Sequence, residues 1–532
     1  MFTEITGKVG IDFVHEAGAE GKYELPEIMG AGAAFLDVEG DGDLDVYLVQ
    51  SGPLPESEAR DRPANRLFRQ NDDGSFTDIT VGSGLGDRGY GTGVAVGDID
   101  NDGLVDVYVG NYGPDTLYHN DGGGKFTDVT RRAGISVPTW TSSMVFCDYD
   151  GDGFLDLYVT SYVSHVVSKA CVRGDGAPDY CSPQSFAYDA DTLYHNDGDG
   201  SFTDVSRSSG IGRIDAPGLG VVCADLTGDG LVDFYVANDG EANQLWESQG
   251  DGKFADAAIL LGAALNAMGQ AEASMGVALG DVEGDGDLDL FMTHLENETN
   301  TLYLNDGNFG FEEVTSARGL GAPSVEFTGF GTAFFDVDHD ADLDIVVVNG
   351  RVAWGEPLPG ASGDEYWRPY AEPNFLMVND GRGQFTDASE RTGEFGRLVE
   401  VSRALALGDV DGDGDLDLLL TNTGGPARLF RNDAEKVGSW LFVRSVEGKR
   451  DAHGAVVTLR AGGKHYTRTA DPAYSYLSSN DPRAHFAVVG AERFEEILVR
   501  WPDGSKESFP GGALNRVVVV EKGTGEKRPK SE

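Results

Sequence analysis

The chain has 532 residues, 40% of them hydrophobic, with 90 acidic residues against 40 basic and a formal net charge of −50. That balance argues against nucleic acid or an anionic membrane surface as partner, since both require basic patches, and no apolar stretch is long enough to span a bilayer. The length exceeds that of an ordinary compact domain, while 75 glycines against 7 methionines point to many tight turns and few helices.

The first residues, Met1-Phe2-Thr3-Glu4, do not read as a signal peptide. The expectation is that an export signal has been removed or that the protein is cytoplasmic. Phe2-Thr3-Glu4-Ile5-Thr6 reads as the last strand of a unit that has no beginning. From there an internal repeat dominates the chain. Its mark is D-x-D-x-D-G-x-x-D, starting at Asp37, Asp98, Asp148, Asp225, Asp281, Asp336 and Asp409, with a unit of about 50 residues lengthened by inserts. These seven windows hold 31 of the acidic residues, so the charge is organised rather than a sign of disorder.

A short alternating run precedes each loop, such as Gly93-Val94-Ala95-Val96-Gly97, and another follows it, such as Val107-Tyr108-Val109-Gly110. A third run ends in Asn-Asp, at Asn71-Asp72, Asn120-Asp121, Asn196-Asp197, Asn305-Asp306, Asn379-Asp380 and Asn432-Asp433, which reads as a hairpin turn. A fourth resembles Phe76-Thr77-Asp78. Four strands per repeat predict a propeller blade. The seventh repeat lacks its fourth strand, and the N-terminal strand supplies it, removing two open edges. The predicted fold is therefore all-β: a seven-bladed β-propeller over residues 1–433, closed by its first strand. A small β domain follows at 434–523, and a polar tail at 524–532 is expected to be disordered.

Each acidic loop offers a ligand set for a hard cation. The first presents Asp37, Glu39, Asp41, Asp43 and Asp45; the second Asp98, Asp100, Asp102, the carbonyl of Leu104, and Asp106. The third presents Asp148, Asp150, Asp152, the carbonyl of Phe154, and Asp156; the fourth Asp225, Thr227, Asp229, the carbonyl of Leu231, and Asp233. The fifth presents Asp281, Glu283, Asp285, Asp287 and Asp289; the sixth Asp336, Asp338, Asp340, Asp342 and Asp344; the seventh Asp409, Asp411, Asp413, Asp415 and Asp417. Alternate residues of a tight turn aim carboxylates inward, as in the first three-quarters of an EF-hand loop. Position 12 is apolar in all seven copies, which suits a strand and excludes helical hands. The expectation is up to seven Ca2+, one per repeat, set against the plainer reading of acidic turns held by their own amides. Thr227 weakens the fourth loop, and Ala341 takes the place of glycine in the sixth at a cost of about 1 kcal/mol.

Three inserts, at 51–64, 161–191 and 351–373, join second to third strands and so lie opposite the acidic loops. The last carries Trp354, Tyr366, Trp367 and Tyr370, a set suited to recognising a protein or glycan; the competing reading is that the inserts only cover the ring. Gln50, Asn111, Ser161, Asn238, His294, Asn349 and Asn422 recur five residues past each loop, either as strand-end caps or as a ligand ring at the channel mouth. Cys171 and Cys181 are placed to close a disulfide, which suits an oxidising compartment, whereas Cys147 and Cys223 read as small apolar interior groups. His119 and His195 share a repeat position with Gln70, Leu304, Val378 and Arg431, and His339 is expected to face water. No nucleophile, P-loop or dinucleotide signature is present, although propellers do host lyases and cyclases.

Asp98-Ile99-Asp100-Asn101-Asp102-Gly103-Leu104-Val105-Asp106 resembles the FG-GAP or VCBS-type repeat of integrin α-subunit propellers. Gly454-Ala455-Val456-Val457-Thr458-Leu459, Tyr476-Leu477-Ser478-Ser479-Asn480, and Val499-Arg500-Trp501-Pro502-Asp503-Gly504 resemble the ASPIC/UnbV domain, with departures from its usual pattern at Ser479 and at His453-Gly454. The combination resembles the cartilage acidic protein family in its bacterial form. That resemblance implies a secreted or periplasmic, calcium-binding, adhesion-like protein. The UnbV half of the name implies a second possibility, an accessory or calcium-dependent lyase or cyclase of enediyne or polyketide biosynthesis acting at the channel mouth.

Overall fold

The computed structural model describes all residues except 56, 58–60, 137–139, 165–168, 308–309 and 530–532. Its first 433 residues form propeller-like, four-stranded antiparallel sheets in chain order. Sheet two is representative, with strands Gly91–Gly97, Asp106–Asn111, Thr116–Asn120 and Phe126–Asp128. The first strand of each sheet packs against those of its neighbours, and the first strand of sheet seven, Ser402–Gly408, contacts that of sheet one, Ala33–Leu36. Being covered on both faces, these strands are mostly apolar or small rather than alternating, with the buried Arg403 of sheet seven an exception. Glycine is required where a neighbouring backbone comes closest. A Cβ on Gly93 would lie 2.3 Å from the Ser142 carbonyl oxygen, and one on Gly276 would lie 2.1 Å from that of Phe330.

Sheet seven takes its fourth strand from the N-terminus. Phe2–Glu4 pairs antiparallel with Arg428–Asn432, with Phe2 opposite Asn432 and Glu4 opposite Phe430. The asparagine that ends the third strand of sheets two, three, five and seven does more than turn a hairpin. Its amide reaches the preceding sheet and donates to the carbonyl of loop position 2: Asn120 to Val38 at 3.1 Å, Asn196 to Ile99 at 2.8 Å, Asn305 to Leu226 at 2.9 Å and Asn432 to Val337 at 3.0 Å. In sheet one Gln70 does the same to Val410 of sheet seven at 2.5 Å. Gln70 lies opposite Phe76 as Asn120 lies opposite Phe126, so Arg69, not Gln70, is the counterpart of His119 and His195.

The C-terminal region is a two-sheet unit. Ser439–Glu447 pairs antiparallel with Ala484–Val488 and parallel with Arg516–Glu521. The second sheet runs in the order Lys464–Ala470, Ala455–Ala461, Arg493–Arg500, Lys506–Ala513 and Glu526–Arg528. Leu441, Leu459, Phe486, Ile497 and Trp501 are buried between the two. Within the expected tail, residues 526–528 add an edge strand and Arg528 pairs with Glu496 at 2.7 Å, while 530–532 lie outside the described residues.

This unit is joined intimately to the repeats. Residues 475–481 insert between the first strands of the sheets. Phe35 N donates to Ser479 O at 3.0 Å, Val94 N to Leu477 O at 3.2 Å and Val277 N to Ser475 O at 3.0 Å. Thr332 N donates to Ser475 Oγ at 3.1 Å, Leu477 N to Ser143 Oγ at 3.1 Å and Leu407 N to Asn480 Oδ1 at 2.9 Å. Six of the seven sheets thus contribute a partner, and Tyr476 and Leu477 are buried with Tyr90, Trp140, Tyr162 and Phe330.

Both cysteine pairs are joined. Cys171–Cys181 closes the insert of sheet three as expected, with Cα atoms 5.3 Å apart. Cys147 and Cys223 depart from their reading as free apolar groups: they link the first strands of sheets three and four, with Cα atoms 6.6 Å apart. Thiol titration of the denatured, unreduced protein is expected to find no free cysteine; two thiols per chain would contradict the cross-sheet bond.

Candidate functional site

The seven acidic loops share one hydrogen-bonding scheme. The carboxylate at position 1 accepts the backbone N–H of position 6 at 2.8–3.1 Å in every copy. Ala341 N donates in this way to Asp336 with φ at +79°, the left-handed turn expected of it. Position 5 accepts the N–H of position 7. Position 9 is a clamp: one oxygen takes the N–H of position 2 at 2.8–3.3 Å, and the other takes the N–H of the residue ending the third strand at 2.8–2.9 Å. The loops are therefore preorganised by their own amides, which leaves position 3 and the remaining lone pairs to converge.

That convergence fits a cation. Ligand atoms of Asp98, Asp100 and Asp106, of Asp148, Asp150 and Asp152, and of Asp336, Asp338 and Asp340 lie within 4.8 Å of one another in each group. Among the described residues, Asp225 Oδ1, Thr227 Oγ1 and Asp338 Oδ1 are buried with no hydrogen-bond partner. Thr227, which weakened the fourth loop in sequence, thus still turns an unpaired oxygen inward. Burial pushes the carboxyls of Asp45, Asp106, Asp156 and Asp233 up to about 7 and that of Asp289 to about 8. Burial with neighbouring acids raises Asp336 to about 7 and Asp340 to about 6. His195 meets Asp156 and Arg468 stands near Asp336, yet burial still dominates, and a hard divalent ion held by positions 1, 3, 5, 7 and 9 would supply the further positive charge these oxygens need.

The C-terminal unit places cations against this face. Arg450, whose side chain is fully buried, donates to Asp148 Oδ2 and Glu447 Oε2 at 3.0 Å each and to the Gly153 carbonyl at 3.2 Å. Lys449 Nζ reaches the Asp102 carbonyl at 3.1 Å, Arg500 pairs with Asp225, and Lys436 pairs with Asp415 at 2.8 Å. Arg468 stands near Asp281 and Asp336, Arg483 near Asp409, and Arg444 near Asp37. His339 does not face water as expected. It is buried under the unit, 3.1 Å from Asp415 Oδ1 and beside the His485 ring at 5.2 Å, and burial lowers it to about 4.

At the opposite end the inserts interlock. Asp179 accepts Tyr370 Oη–H and Trp354 N–H, both at 2.9 Å, and Tyr180 Oη lies 2.9 Å from Tyr366 Oη. Trp367 and Tyr370, expected at a recognition surface, are buried in the aromatic cluster that fills the centre of the repeats. Tyr366 is partly buried, and only Trp354 stays open, at 37% exposure, with the Arg173 guanidinium stacked 4.0 Å from its ring. Tyr476 and Leu477 of the C-terminal unit belong to the same buried cluster as Trp367 and Tyr370.

The recurrent polar positions are buried at the strand ends, where the side-chain amides of Asn111, Asn238, Asn349 and Asn422 donate to the carbonyls of Pro114, Ala242, Pro373 and Pro426 at 2.7–3.1 Å. The backbone N–H groups of Gln50, Asn111, Ser161, Asn238, His294 and Asn349 donate to Asn65, Asp115, Asp191, Asn243, Asn300 and Asn374 at 2.7–2.9 Å. Each acceptor immediately precedes its third strand, a regularity the sequence carries but which goes unnoticed without the pairing. His119 lies 3.0 Å from Asp100 and 3.2 Å from Asp121, and His195 3.1 Å from Asp156; both border the acidic loops.

Comparison with known proteins agrees with this organisation. The description FG-GAP-like repeat matches residues 37–109, 98–159, 172–236, 225–292 and 281–347, FG-GAP repeat matches 402–438, and ASPIC and UnbV matches 445–527. Cartilage acidic protein 1 of Mus musculus is 27% identical over 382 residues, covering 60% of this chain and 56% of that protein. Its Homo sapiens counterpart is 27% identical over 326 residues, covering 60% and 46%. The chain thus spans about half the length of the curated relatives it matches. Among solved structures, an Agrocybe aegerita lectin that recognises non-reducing terminal N-acetylglucosamine is similar, with a TM-score of 0.39 and 16% identity over 74% of this chain and 85% of that one.

Proposed function

The chain belongs to the FG-GAP-repeat family with a C-terminal ASPIC/UnbV domain, and from that premise we propose that it is an extracellular recognition protein built on one closed ring of seven blades braced by up to seven calcium ions. Closure is supported by the pairing of Phe2–Glu4 with sheet seven and by the Gln70 to Val410 hydrogen bond. Export is supported by two disulfides, which persist in oxidising compartments, and by the relatives named cartilage acidic protein 1.

The observation that carries the functional reading is the set of cations that the C-terminal domain places against the acidic loops, whose outer turns stay exposed. Cations of the ASPIC/UnbV domain stand over the loops and residues 475–481 fill the channel, so the loops are structural and recognition is left to the opposite face. There the open group is Trp354, backed by Arg173 and the Cys171–Cys181 loop. A half-exposed tryptophan on a rigid base offers a protein or glycan contact area at low entropic cost. Because Trp367, Tyr370 and the Arg351–Glu372 pair are built into the fold, deletion of the whole insert would test folding rather than binding, and the point variant Trp354→Ala is the cleaner probe. It is expected to lose most binders found for the full chain on glycan and protein arrays with its melting temperature unchanged; an unaltered binding profile would remove the assignment.

A further inference from the structure

We propose that the cleft between the first two sheets and the ASPIC/UnbV domain is a binding site for an uncharged, largely apolar small molecule. It encloses about 300 Å3, the lower end of the range for small-ligand pockets and too narrow for a partner helix about 10 Å across. Leu36, Leu44, Val96 and Val105 form the propeller wall, and Val517 and Val519 form the other.

Two independent observations point to a ligand of this class. The first is the pattern of the edge strand Arg516–Glu521. Val520 faces the domain's own core and Val518 packs against it, so an edge turned to water should carry polar residues at 517 and 519. Instead both are valine, 43% and 62% exposed, at the cleft. The second is the state of the charges in the lining. Arg444 is held by Asp451 at 2.6 and 3.1 Å, and Arg483 is held by Asp481 at 2.8 and 2.9 Å. Asp37 accepts the N–H groups of Gly40, Asp41 and Gly42. An anionic ligand would find both arginines already paired, whereas a neutral one needs only the apolar walls. The inference does not depend on the calcium or on the Trp354 face.

The test uses the full chain and Nile red as a neutral, environment-sensitive probe. Saturable binding of one probe per chain is expected. The surface double variant Val517→Asp/Val519→Asp should weaken it at least tenfold, while Val81→Asp, at an exposed site elsewhere, should leave it unchanged. Competition on the unaltered chain needs no variant: n-decanol should displace the probe at a concentration at least tenfold below that of decanoate. Absence of saturable binding, equal affinity in the double variant, or equal displacement by decanol and decanoate would overturn the proposal. Displacement by a strand-forming Thr-Val peptide but not by decanol would overturn it too, giving the edge to a partner strand.

Discussion

Stripping the protein of divalent ions is expected to lower its midpoint of thermal unfolding by about 15 °C or more at neutral pH. An ion present at a thousandfold its dissociation constant stabilises by about 4 kcal/mol per site, and several such sites together exceed the roughly 5–15 kcal/mol net stability of a typical folded protein. The pH dependence should also invert. In the ion-free protein, burial raises Asp106, Asp156 and Asp233 to about 7, above an unfolded value of about 3.9. The folded state then binds more protons than the unfolded one between those values, so the associated stability is present at low pH and is lost as pH rises through about 7. Urea unfolding of ion-free protein should give a higher midpoint at pH 5 than at pH 8. With calcium the order should reverse, because the ion requires ionised ligands and competes with protons. An ion-free midpoint that rises with pH would contradict this.

Replacement of Arg450 by alanine is expected to cost about 3–5 kcal/mol, the usual penalty for removing one partner of a buried ion pair. Its guanidinium has no solvent contact and joins Asp148, Glu447 and the Gly153 carbonyl across the domain boundary. Arg450→Lys should recover only part of the loss, since a single ammonium nitrogen cannot reach acceptors that Nε and Nη2 of the guanidinium reach separately. Equilibrium urea unfolding reads both variants. A change of less than about 1 kcal/mol in Arg450→Ala, the size typical of an exposed pair, would mean that the domain merely rests on the acidic face.

Most of the β architecture was legible because it repeats. The acidic loops, the four-strand unit and the pairing of Phe2–Glu4 with the last repeat follow from period and alternation alone. What escaped depends on contacts between elements distant in sequence. Nothing local in Ser475-Tyr476-Leu477 announces that its carbonyls meet Val94 and Val277, and Arg450, Arg468 and Arg500 look like ordinary surface charges until they face Asp148, Asp281 and Asp225. Cys147 ends its first strand while Cys223 lies one residue before the end of the next, so the repeat brings them to similar height but their pairing depends on the offset between sheets. Trp367 and Tyr370 misled for a compositional reason: aromatics in a long insert signal either a binding surface or a plug, and only burial separates the two.

Native mass spectrometry of the full chain, desalted from calcium-containing buffer, tests the central claim most directly. The predicted result is a mass excess of up to seven calcium ions, with most loops filled, that disappears together with the cooperative unfolding transition on chelation. A single species at the bare polypeptide mass, or an excess of calcium that can be removed with no change in unfolding, would contradict it.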